Sequence, residues 1–371
     1  MFEEQALFTS GTEGYHTFRI PALAVTTKGT LLAFCEGRVH DSHDTGQIRL
    51  LLRRSHDHGK TWGPIQLVAE AGPHTAGNPA PVVDRSTGII WLPFTQNRAD
   101  GPEALIIAGK AARTVWLTYS ADDGASWAPP REITKYVKQD LWTWYATGPG
   151  HGVQLQNGRL VIPCDYVLGT SNALVDGHFH AIREFYARAG HGHVIYSDDH
   201  GATWHIGGIA QAGTNEAAVV ETVDGSLYLN CRNYVGSTKR RAYAWSRDHG
   251  DTFGEGGWDE KLVEPICQAS ICRLTDEVNH DRNRVLFANP ASTTARERLT
   301  VRLSYDECVS WNDGKVLHEG LSAYSDLCVT RDLTICCLYE RGKEGLYETL
   351  TLARFDLDWL TDGKDRLRIS G

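Results

Sequence analysis

An eight-residue pattern of the form Ser-x-Asp-x-Gly-x-Thr/Ser-Trp recurs along this chain and limits its fold more than any other feature. Three copies are complete, at residues 55–62, 120–127 and 197–204. Two copies are altered, because residues 246–253 end in Phe253 and residues 304–311 carry Cys308 in place of Gly. A motif that recurs at intervals of about 50 residues or more, with several strand-like segments between copies, is typical of a β-propeller.

The repeat itself is interpreted first as a structural turn. Its Asp and Ser can bond to nearby backbone groups, its Gly can take a left-handed conformation, and its aromatic residue can fill space within a blade. Calcium or sugar binding is the functional alternative. The turn is favoured because it needs only local partners.

Pairs of apolar segments flank six turn signals and predict six hairpins. The turns lie at Lys28-Gly29, 86–88, Asn157-Gly158, Asp224-Gly225, 279–283 and Arg331-Asp332. A further strand and then the repeat follow each of the first five hairpins, whereas the sixth unit ends in a strand at 348–355 and a short helix-like tail. We therefore predict an all-β fold, a six-bladed β-propeller of four-stranded antiparallel blades, with residues 1–371 forming a single domain.

Composition excludes several classes of partner. The formal net charge is −9, from 46 acidic and 37 basic residues, and no basic block favours nucleic acid. No apolar segment approaches the roughly 18 residues of a membrane span. The first residues lack the basic and apolar parts of a signal peptide, and the nine cysteines include no Cys-x-x-Cys pair. We expect reduced cysteines, no zinc site and a cytoplasmic location; the oligomeric state is not predicted.

Propeller geometry predicts that one set of polar residues surrounds one end of the axis. The inner strands of all blades start on the same face, and each second strand returns to it. The strand starts are Arg19, Asn78, His151, Glu216, Gln268 and Tyr324, and the ends of the second strands are 36–38, Arg98, 165–166, Arg232 and Glu340. Arginines from several blades around one opening favour an anion-binding site, because crowded like charges are costly without an anion. The alternative is a set of solvated or paired strand ends.

Several short segments together resemble the exo-α-sialidase (neuraminidase) family over essentially the whole chain. They are Phe-Arg-Ile-Pro at 18–21, Ala-Phe-Cys-Glu-Gly-Arg at 33–38, Ala-Thr-Gly-Pro-Gly-His at 146–151, Asn-Glu at 215–216, Asn-Cys-Arg at 230–232, Ala-Tyr-Ser-Asp at 323–326 and Cys-Leu-Tyr-Glu at 337–340. The resemblance implies hydrolysis of terminal α-linked sialic acids on glycans, glycolipids or glycoproteins, with retained configuration. It implies no metal and no organic cofactor.

The resemblance also implies the residues that hold the substrate. Arg19, Arg232 and Arg296 correspond to a triad that grips the sialic acid carboxylate, which suits the fixed fork of a guanidinium group. Arg298 is the other candidate for the third position, because side chains two apart on a strand can point the same way. The supporting positions are Glu340, which would fix Arg19; Arg38, beside the oxygen at C4; Asn78, near the N-acetyl group; and Asp165, near the glycerol chain.

Three further positions correspond to the catalytic residues of the family. Tyr324 is the expected nucleophile, because the anomeric carbon of a sialic acid bears a carboxylate that would repel a carboxylate nucleophile, and sialidases use Tyr. A phenol needs an adjacent base, and Glu216 matches it. Asp44 matches the general acid/base. Asp41 is its rival on the same loop, and both could instead be solvated loop acids.

Other interpretations remain open. A trans-sialidase, an intramolecular trans-sialidase or a sialidase that prefers the deaminated sugar Kdn would use the same residues. A non-catalytic sialic-acid-binding propeller or an interaction scaffold are the other classes. The insertion at 168–193, with His178, His180, His191 and His193, could form a lid or, less readily, a metal site. Trp142, Trp144 and Tyr145 could line the aglycone side or pack between blades.

Overall fold

The protein is described by a computed structural model that covers residues 1–169, 179–254 and 256–367. Strand β1 (Phe2–Thr9) precedes the first blade. The first blade consists of β2 (Thr17–Val25), β3 (Leu31–Arg38), β4 (Ile48–Ser55) and β5 (Gln66–Ala69). The second blade consists of β6 (Thr75–Gly77), β7 (Val82–Val83), β8 (Ile90–Asn97), β9 (Arg113–Ser120) and β10 (Arg131–Glu132). The third blade consists of β11 (Trp142–Thr147), β12 (Val153–Gln154), β13 (Leu160–Leu168), β14 (Gly190–Ser197) and β15 (His205–Ile209).

The last three blades complete the chain. The fourth blade consists of β16 (Thr214–Glu221), β17 (Leu227–Asn233), β18 (Arg240–Ser246) and β19 (Gly256–Val263). The fifth blade consists of β20 (Ser270–Thr275), β21 (Arg284–Pro290), β22 (Glu297–Ser304) and the first part of the long strand β23 (Lys315–Val329). The sixth blade consists of the rest of β23, β24 (Ile335–Arg341) and β25 (Thr349–Phe355). Four short helices are α1 (Glu103–Ile107), α2 (Thr134–Val137), α3 (Phe179–Ala189) and α4 (Leu357–Leu360). The helix-like tail of the sequence is α4.

The blades form a closed ring. Each inner strand contacts the next around the axis, in the order β2, β7, β12, β16, β20 and β23, and β23 contacts β2 again. Strand β1 pairs antiparallel with β25, from Phe2 opposite Phe355 to Thr9 opposite Thr349. The N-terminal strand is therefore the outermost strand of the last blade, a role that the sequence analysis did not assign. The predicted six-bladed, all-β propeller is confirmed.

The repeats close local turns, as the structural interpretation expects. In the first copy, Asp57 accepts hydrogen bonds from the backbone N–H of Thr61 at 2.8 Å and from its hydroxyl at 2.6 Å. The hydroxyl of Ser55 accepts one from the N–H of Gly59 at 2.9 Å. Cys308 keeps the left-handed backbone of the glycine it replaces, with φ at 69°, so the altered fifth copy forms the same turn.

The inner strands become irregular at one end of the ring. Pairing of β2 with β3 slips between Arg19 and Ala22, pairing of β16 with β17 slips between Thr214 and Ala217, and that of β23 with β24 slips between Ser322 and Ser325. A bulge re-aims neighbouring side chains and is frequent beside active sites. All three slips lie beside predicted site residues, so this end of the axis is where the site is expected.

Among the described residues, no helix is long and apolar enough to cross a lipid bilayer. All nine cysteines are buried and unpaired.

Candidate active site

A polar cavity of about 230 Å³ opens where the inner strands begin. Nine of the ten predicted site residues line it: Arg19, Arg38, Asp44, Asn78, Asp165, Glu216, Arg232, Arg296 and Tyr324. Glu340 lies directly behind Arg19 and is completely buried. Larger cavities of about 510 and 770 Å³ lie at the other end of the axis and between two blades, but neither holds these residues.

Tyr324 and Glu216 form a buried hydrogen-bonded pair in this cavity. The phenol hydroxyl donates a short hydrogen bond to the Oε1 atom of Glu216. Arg232 donates from one nitrogen to Oε2 of Glu216 at 2.8 Å and to the Tyr324 hydroxyl at 3.1 Å. Burial raises the pKa of Tyr324 well above its ordinary value, and the Glu216 carboxylate raises it further, while the nearby arginines act against them. The phenol is therefore neutral in the free protein.

Arg19 is fixed from behind by Glu340 and from the side by an aromatic ring. Its Nε donates to Oε1 of Glu340 at 3.0 Å, and its guanidinium group lies 3.9 Å from the ring centroid of Tyr347. Glu340 also accepts the backbone N–H groups of Ile20 and Tyr324, each at 3.1 Å. One buried carboxylate thus holds an expected carboxylate-binding arginine and the backbone of the expected nucleophile in register.

Arg296 enters the cavity and Arg298 does not. Arg296 donates to the Tyr347 hydroxyl at 3.3 Å and lies 5.6 Å from the Tyr324 ring centroid. Arg298 is exposed and pairs with Glu319 at 2.8 Å. The backbone of Arg298 is left-handed, with φ at 58°, so the alternation that could have aligned the two side chains is broken at that residue.

Asp44 reaches two arginines at the mouth of the cavity. Its Oδ1 lies 3.0 Å from Arg19 and 2.8 Å from Arg38, although 59% of the side chain is exposed. Partial desolvation at the mouth of the cavity would raise the pKa of Asp44, but the two guanidinium groups outweigh it and hold that pKa well below its ordinary value. Asp41, the rival, is exposed and accepts the backbone N–H of His43 within its own loop.

The end of the cavity away from Tyr324 combines buried acids with Arg113. Asp165 is fully buried; its Oδ1 accepts from Asn215 at 2.5 Å, and its Oδ2 has no hydrogen-bond partner among the described residues. Burial, with the Glu216 charge second, raises the pKa of Asp165 well above its ordinary value. Arg113 lies 4.2 Å from the Trp144 ring centroid and donates to the side chain of Asn78.

Four residues predicted to surround the opening lie elsewhere. His151 pairs with Asp326 at 2.9 Å and lines the cavity at the opposite end of the axis. Gln268 donates to the carbonyl of Ser325 at 2.9 Å and ties two inner strands together. Arg98 is exposed and pairs with Asp100 at 2.8 Å. Tyr166 is packed in an apolar cluster, against the ring of Trp142. The prediction was wrong for these four because strand ends differ in which way their side chains point.

Comparison with known proteins gives the family of this fold and site. The family described as BNR repeat-like domain matches residues 29–337. An exo-alpha-sialidase of Aspergillus fumigatus is 33% identical, over 94% of this chain and 86% of its own length. Sialidase-3 of Homo sapiens is 30% identical, over 91% of this chain and 89% of its own.

The chain belongs to the exo-α-sialidase family.

Solved structures agree with this assignment at the level of the fold. The Hadza microbial sialidase Hz136 superposes with a TM-score of 0.82 at 28% identity, covering 96% of this chain and 69% of that one. The intramolecular trans-sialidase of Ruminococcus gnavus superposes with a TM-score of 0.75, covering 95% of this chain and 97% of that one. Its identity is 17%, so this second likeness concerns the fold alone.

Several cavity residues of this sialidase family member were missed by the sequence analysis. They are Glu103, Arg113, Tyr186, Tyr234 and Tyr347. Tyr234 could have been found, because it lies two residues after Arg232, just past the end of β17, and the Arg232 guanidinium lies 4.8 Å from its ring centroid. Glu103 and Tyr186 lie on helices, Tyr347 lies on a loop, and Arg113 begins β9, which is not an inner strand.

Among its described residues, the insertion contributes Tyr186 to the cavity. Tyr186 of α3 donates to Glu103 of α1 and stacks on Tyr234, with ring centroids 4.6 Å apart. His178 and the side chain of His180 lie outside the described residues. His193 is fully buried, and burial lowers its pKa to about 3. Within the described residues no group of three possible ligands could hold a metal ion.

Of the aromatic residues Trp142, Trp144 and Tyr145, two are packed in an apolar cluster and one lines the cavity. Trp142 stacks on Tyr166 with ring centroids 3.7 Å apart, and Tyr145 is fully buried in the same apolar cluster. Trp144 instead lines the cavity.

Proposed function

We propose that this protein is a retaining exo-α-sialidase that releases terminal α-linked sialic acid through a tyrosyl-enzyme intermediate. The observation that carries this proposal is the buried Tyr324–Glu216 pair beneath Arg232. A binding protein would need arginines for the carboxylate but not a phenol hydrogen-bonded to a base.

The three arginines suit the substrate carboxylate. Arg19, Arg232 and Arg296 come from three different blades, and each approaches the Tyr324 hydroxyl or ring. A carboxylate bound among them would offset their mutual repulsion and accept forked hydrogen bonds. It would also place the anomeric carbon, which bears that carboxylate, close to Tyr324.

The first step then follows from the contacts. The Tyr324 oxygen attacks the anomeric carbon as its proton passes to Glu216, and the bond from that carbon to the glycosidic oxygen breaks. Asp44 gives a proton to the departing oxygen. In the second step water attacks the anomeric carbon and gives a proton to Asp44, while the Tyr324 oxygen leaves and regains its proton from Glu216. Two displacements at one carbon retain its configuration.

Asp44 needs to be protonated for this role, and the bound substrate provides a reason. In the free protein Asp44 pairs with Arg19, which the substrate carboxylate would also contact. A substrate carboxylate bound to Arg19 would offset part of the positive charge that stabilises the ionised Asp44. We therefore expect the pKa of Asp44 to rise when substrate binds.

The test is time-resolved NMR of the protein with an α-sialoside, repeated with the Kdn analogue. Early appearance of the α-anomer of the free sugar supports hydrolysis with retention, and the ratio of the two rates measures the preference between N-acetylated and deaminated substrates. Early appearance of the β-anomer would contradict the double displacement.

Other products would identify the other functions. An anhydro sugar indicates an intramolecular trans-sialidase, and transfer to added lactose indicates a trans-sialidase. Saturable binding with no turnover of either sugar would indicate a sialic-acid-binding propeller.

A further inference from the structure

A groove of about 770 Å³ lies between the fourth and fifth blades, away from the candidate active site. Tyr243 and Trp245 of β18 are half-buried in it. Tyr228 forms its base, with its ring centroid 5.9 Å from that of Tyr243 and 5.0 Å from that of Trp245. Trp311 of the altered fifth repeat borders the same base. We call this cavity the aromatic groove.

The aromatic groove is open because a glycine lies opposite one of its rings. Gly257 of β19 pairs with Tyr243, and a Cβ atom at Gly257 would lie 3.1 Å from the Tyr243 hydroxyl. Any larger residue there would cover the ring. Beside it, the guanidinium group of Arg247 lies 5.0 Å from the Trp245 ring centroid and donates to Ser226 at 2.9 Å.

A buried donor and a nearby carboxylate add polar groups to this groove. The buried indole N–H of Trp311 interacts with the Asp259 carboxylate, whereas those of Trp62 and Trp204 donate to the glycine carbonyl of their own repeats at 3.1 and 3.0 Å. Asp259 lies near Trp311 and accepts two backbone N–H groups on one oxygen, Oδ1.

Size and charge together indicate the class of ligand. The volume lies within the range of about 300–1,000 Å³ that is usual for small-molecule sites, which are lined by aromatic side chains with a few polar groups. Four carboxylates border the groove, and three of them are paired: Asp224 with Arg247, Glu260 with Arg240 and Glu307 with Arg273; the fourth is Asp259. Both cations of the described lining are also paired, Arg247 with Asp224 and Lys261 with Asp313, so they offer little attraction to an anion such as sialic acid itself. A neutral pyranose can instead lay its C–H face on an aromatic ring and offer hydroxyls to the carboxylates.

We propose that the aromatic groove is a second, non-catalytic carbohydrate site that binds a neutral pyranose of the kind sialic acid caps. The proposal rests on the proposed function only for the origin of that sugar, since sialylated glycans carry neutral hexoses beneath the terminal residue. Aromatic faces and the Asp259 carboxylate in one concave site support it.

The position of the aromatic groove determines which sugar of a glycan could bind there. Inner strand β16 carries Glu216 near its start, and the groove residues Thr222 and Asp224 follow its other end at Glu221. The two sites therefore lie toward opposite ends of the blade. A sugar in the groove belongs to a different branch, or to a different molecule, from the sialic acid at Tyr324. The groove would keep the enzyme on a surface that carries many glycans.

The test is saturation-transfer NMR of the whole protein with lactose, with the catalytic cavity filled by the 2,3-didehydro analogue of sialic acid. We expect saturable lactose binding that persists when the analogue is present. Absence of saturable binding would overturn the proposal, and so would binding that the analogue abolishes, since the lactose would then lie in the catalytic cavity.

Variants locate the binding site. Trp245→Ala is expected to weaken lactose binding about tenfold or more, whereas Trp245→Phe, which keeps an aromatic face and guards against loss of folding, should stay within about threefold. Asp259→Asn should weaken it without changing turnover of a small fluorogenic sialoside. Equal binding by Trp245→Ala and Trp245→Phe would overturn the assignment. Because the readout is lactose binding, a protein without sialidase activity could still pass this test, and an active one could fail it.

Discussion

At the scale of single residues, Tyr324 is held by hydrogen bonds at both its hydroxyl group and its backbone. Glu216 and Arg232 bond its hydroxyl, while Glu340 bonds its backbone N–H. The side chain is only 6% exposed, so the phenol is held in one orientation before any substrate arrives. A residue held this way contributes to the rate of the chemical step more than to affinity.

Replacing Tyr324 separates these contributions. Tyr324→Phe keeps the ring but removes the attacking oxygen, so we expect kcat to fall by about 1,000-fold or more, with the Kd for the didehydro analogue within about threefold. Stopped assays of a fluorogenic sialoside and calorimetry measure the two quantities.

Tyr347→Phe is the matched control. It keeps the ring beneath Arg19 and removes only the hydroxyl that Arg296 contacts. We expect KM to rise by about tenfold or less with kcat largely kept. Undiminished turnover by Tyr324→Phe would contradict the assignment of the nucleophile.

Asp165 makes stability depend on pH. Its pKa is higher in the folded state than its ordinary value near 3.9 in the unfolded chain. The folded protein therefore binds this proton more tightly, so the contribution to stability is present at low pH and is lost as pH rises through the folded pKa. We expect Asp165→Asn to leave stability at pH 4 nearly unchanged and to increase it by about 1–2 kcal/mol at pH 8.

Urea unfolding at both pH values tests this expectation. Asp140→Asn, a change at an exposed carboxyl, is the control and should show no such difference between the two pH values. A loss of stability at pH 8 in Asp165→Asn would mean that the buried charge is favourably paired.

At the scale of elements, the repeat turns stabilise five of the six blades at the end opposite the candidate active site. The Asp of each repeat bonds the backbone N–H group four residues later, at 2.8 or 2.9 Å in all five copies. These bonds lower the pKa of Asp57 and Asp122 to about 2, although burial, which is slight, acts against them.

Removing one such carboxylate tests its role in the fold alone. Asp57→Ala loses both bonds to Thr61, so we expect a loss of about 1–2 kcal/mol in the free energy of unfolding, with KM and kcat at 25 °C unchanged. Thermal unfolding and a sialoside assay give the two results. Lys60→Ala, at an exposed position of the same turn, should change neither. A change in KM at Asp57 would instead connect this turn to the candidate active site.

At the same scale, the hairpins and turns could be predicted from the sequence, whereas the direction of several side chains could not. The hairpins and turns were predictable because Asn-Gly, Asp-Gly and the repeats act through neighbours only a few positions away. Arg98 and His151 were misplaced, because the direction of a side chain at a strand end depends on bulges that no short pattern specifies. Tyr347 and Arg113 were missed, since they reach the cavity from outside the inner strands.

At the scale of the whole molecule, the ring is completed by residues from the two ends of the chain. Besides the pairing of β1 with β25, the N-terminal ammonium bonds Asp356 at 2.7 Å, and Glu3 pairs with Arg354 at 2.5 Å. This closure could not be predicted from the sequence, because a strand partner hundreds of residues away leaves no local pattern. That residues 1–371 form a single domain stays a prediction.

Deleting residues 1–9 should expose the edge of β25. We expect a lower unfolding temperature, by about 5 °C or more, and concentration-dependent association through the unpaired strand. Calorimetry and size-exclusion chromatography measure both effects. A version with a flexible extension before Met1, which keeps β1 in place, is the control. Unchanged stability and a monodisperse peak after the deletion would show that β1 adds little to the sixth blade.

The same closure has a consequence for biosynthesis. On the ribosome, β1 emerges before the six blades, whereas its partner β25 is translated only after the other five blades. The β1 segment must therefore wait, with an unpaired strand edge, while the intervening blades form. Such an edge is a site of wrong pairing with other nascent chains. We therefore expect a chaperone that shields residues 1–9 during synthesis to raise the yield of folded protein.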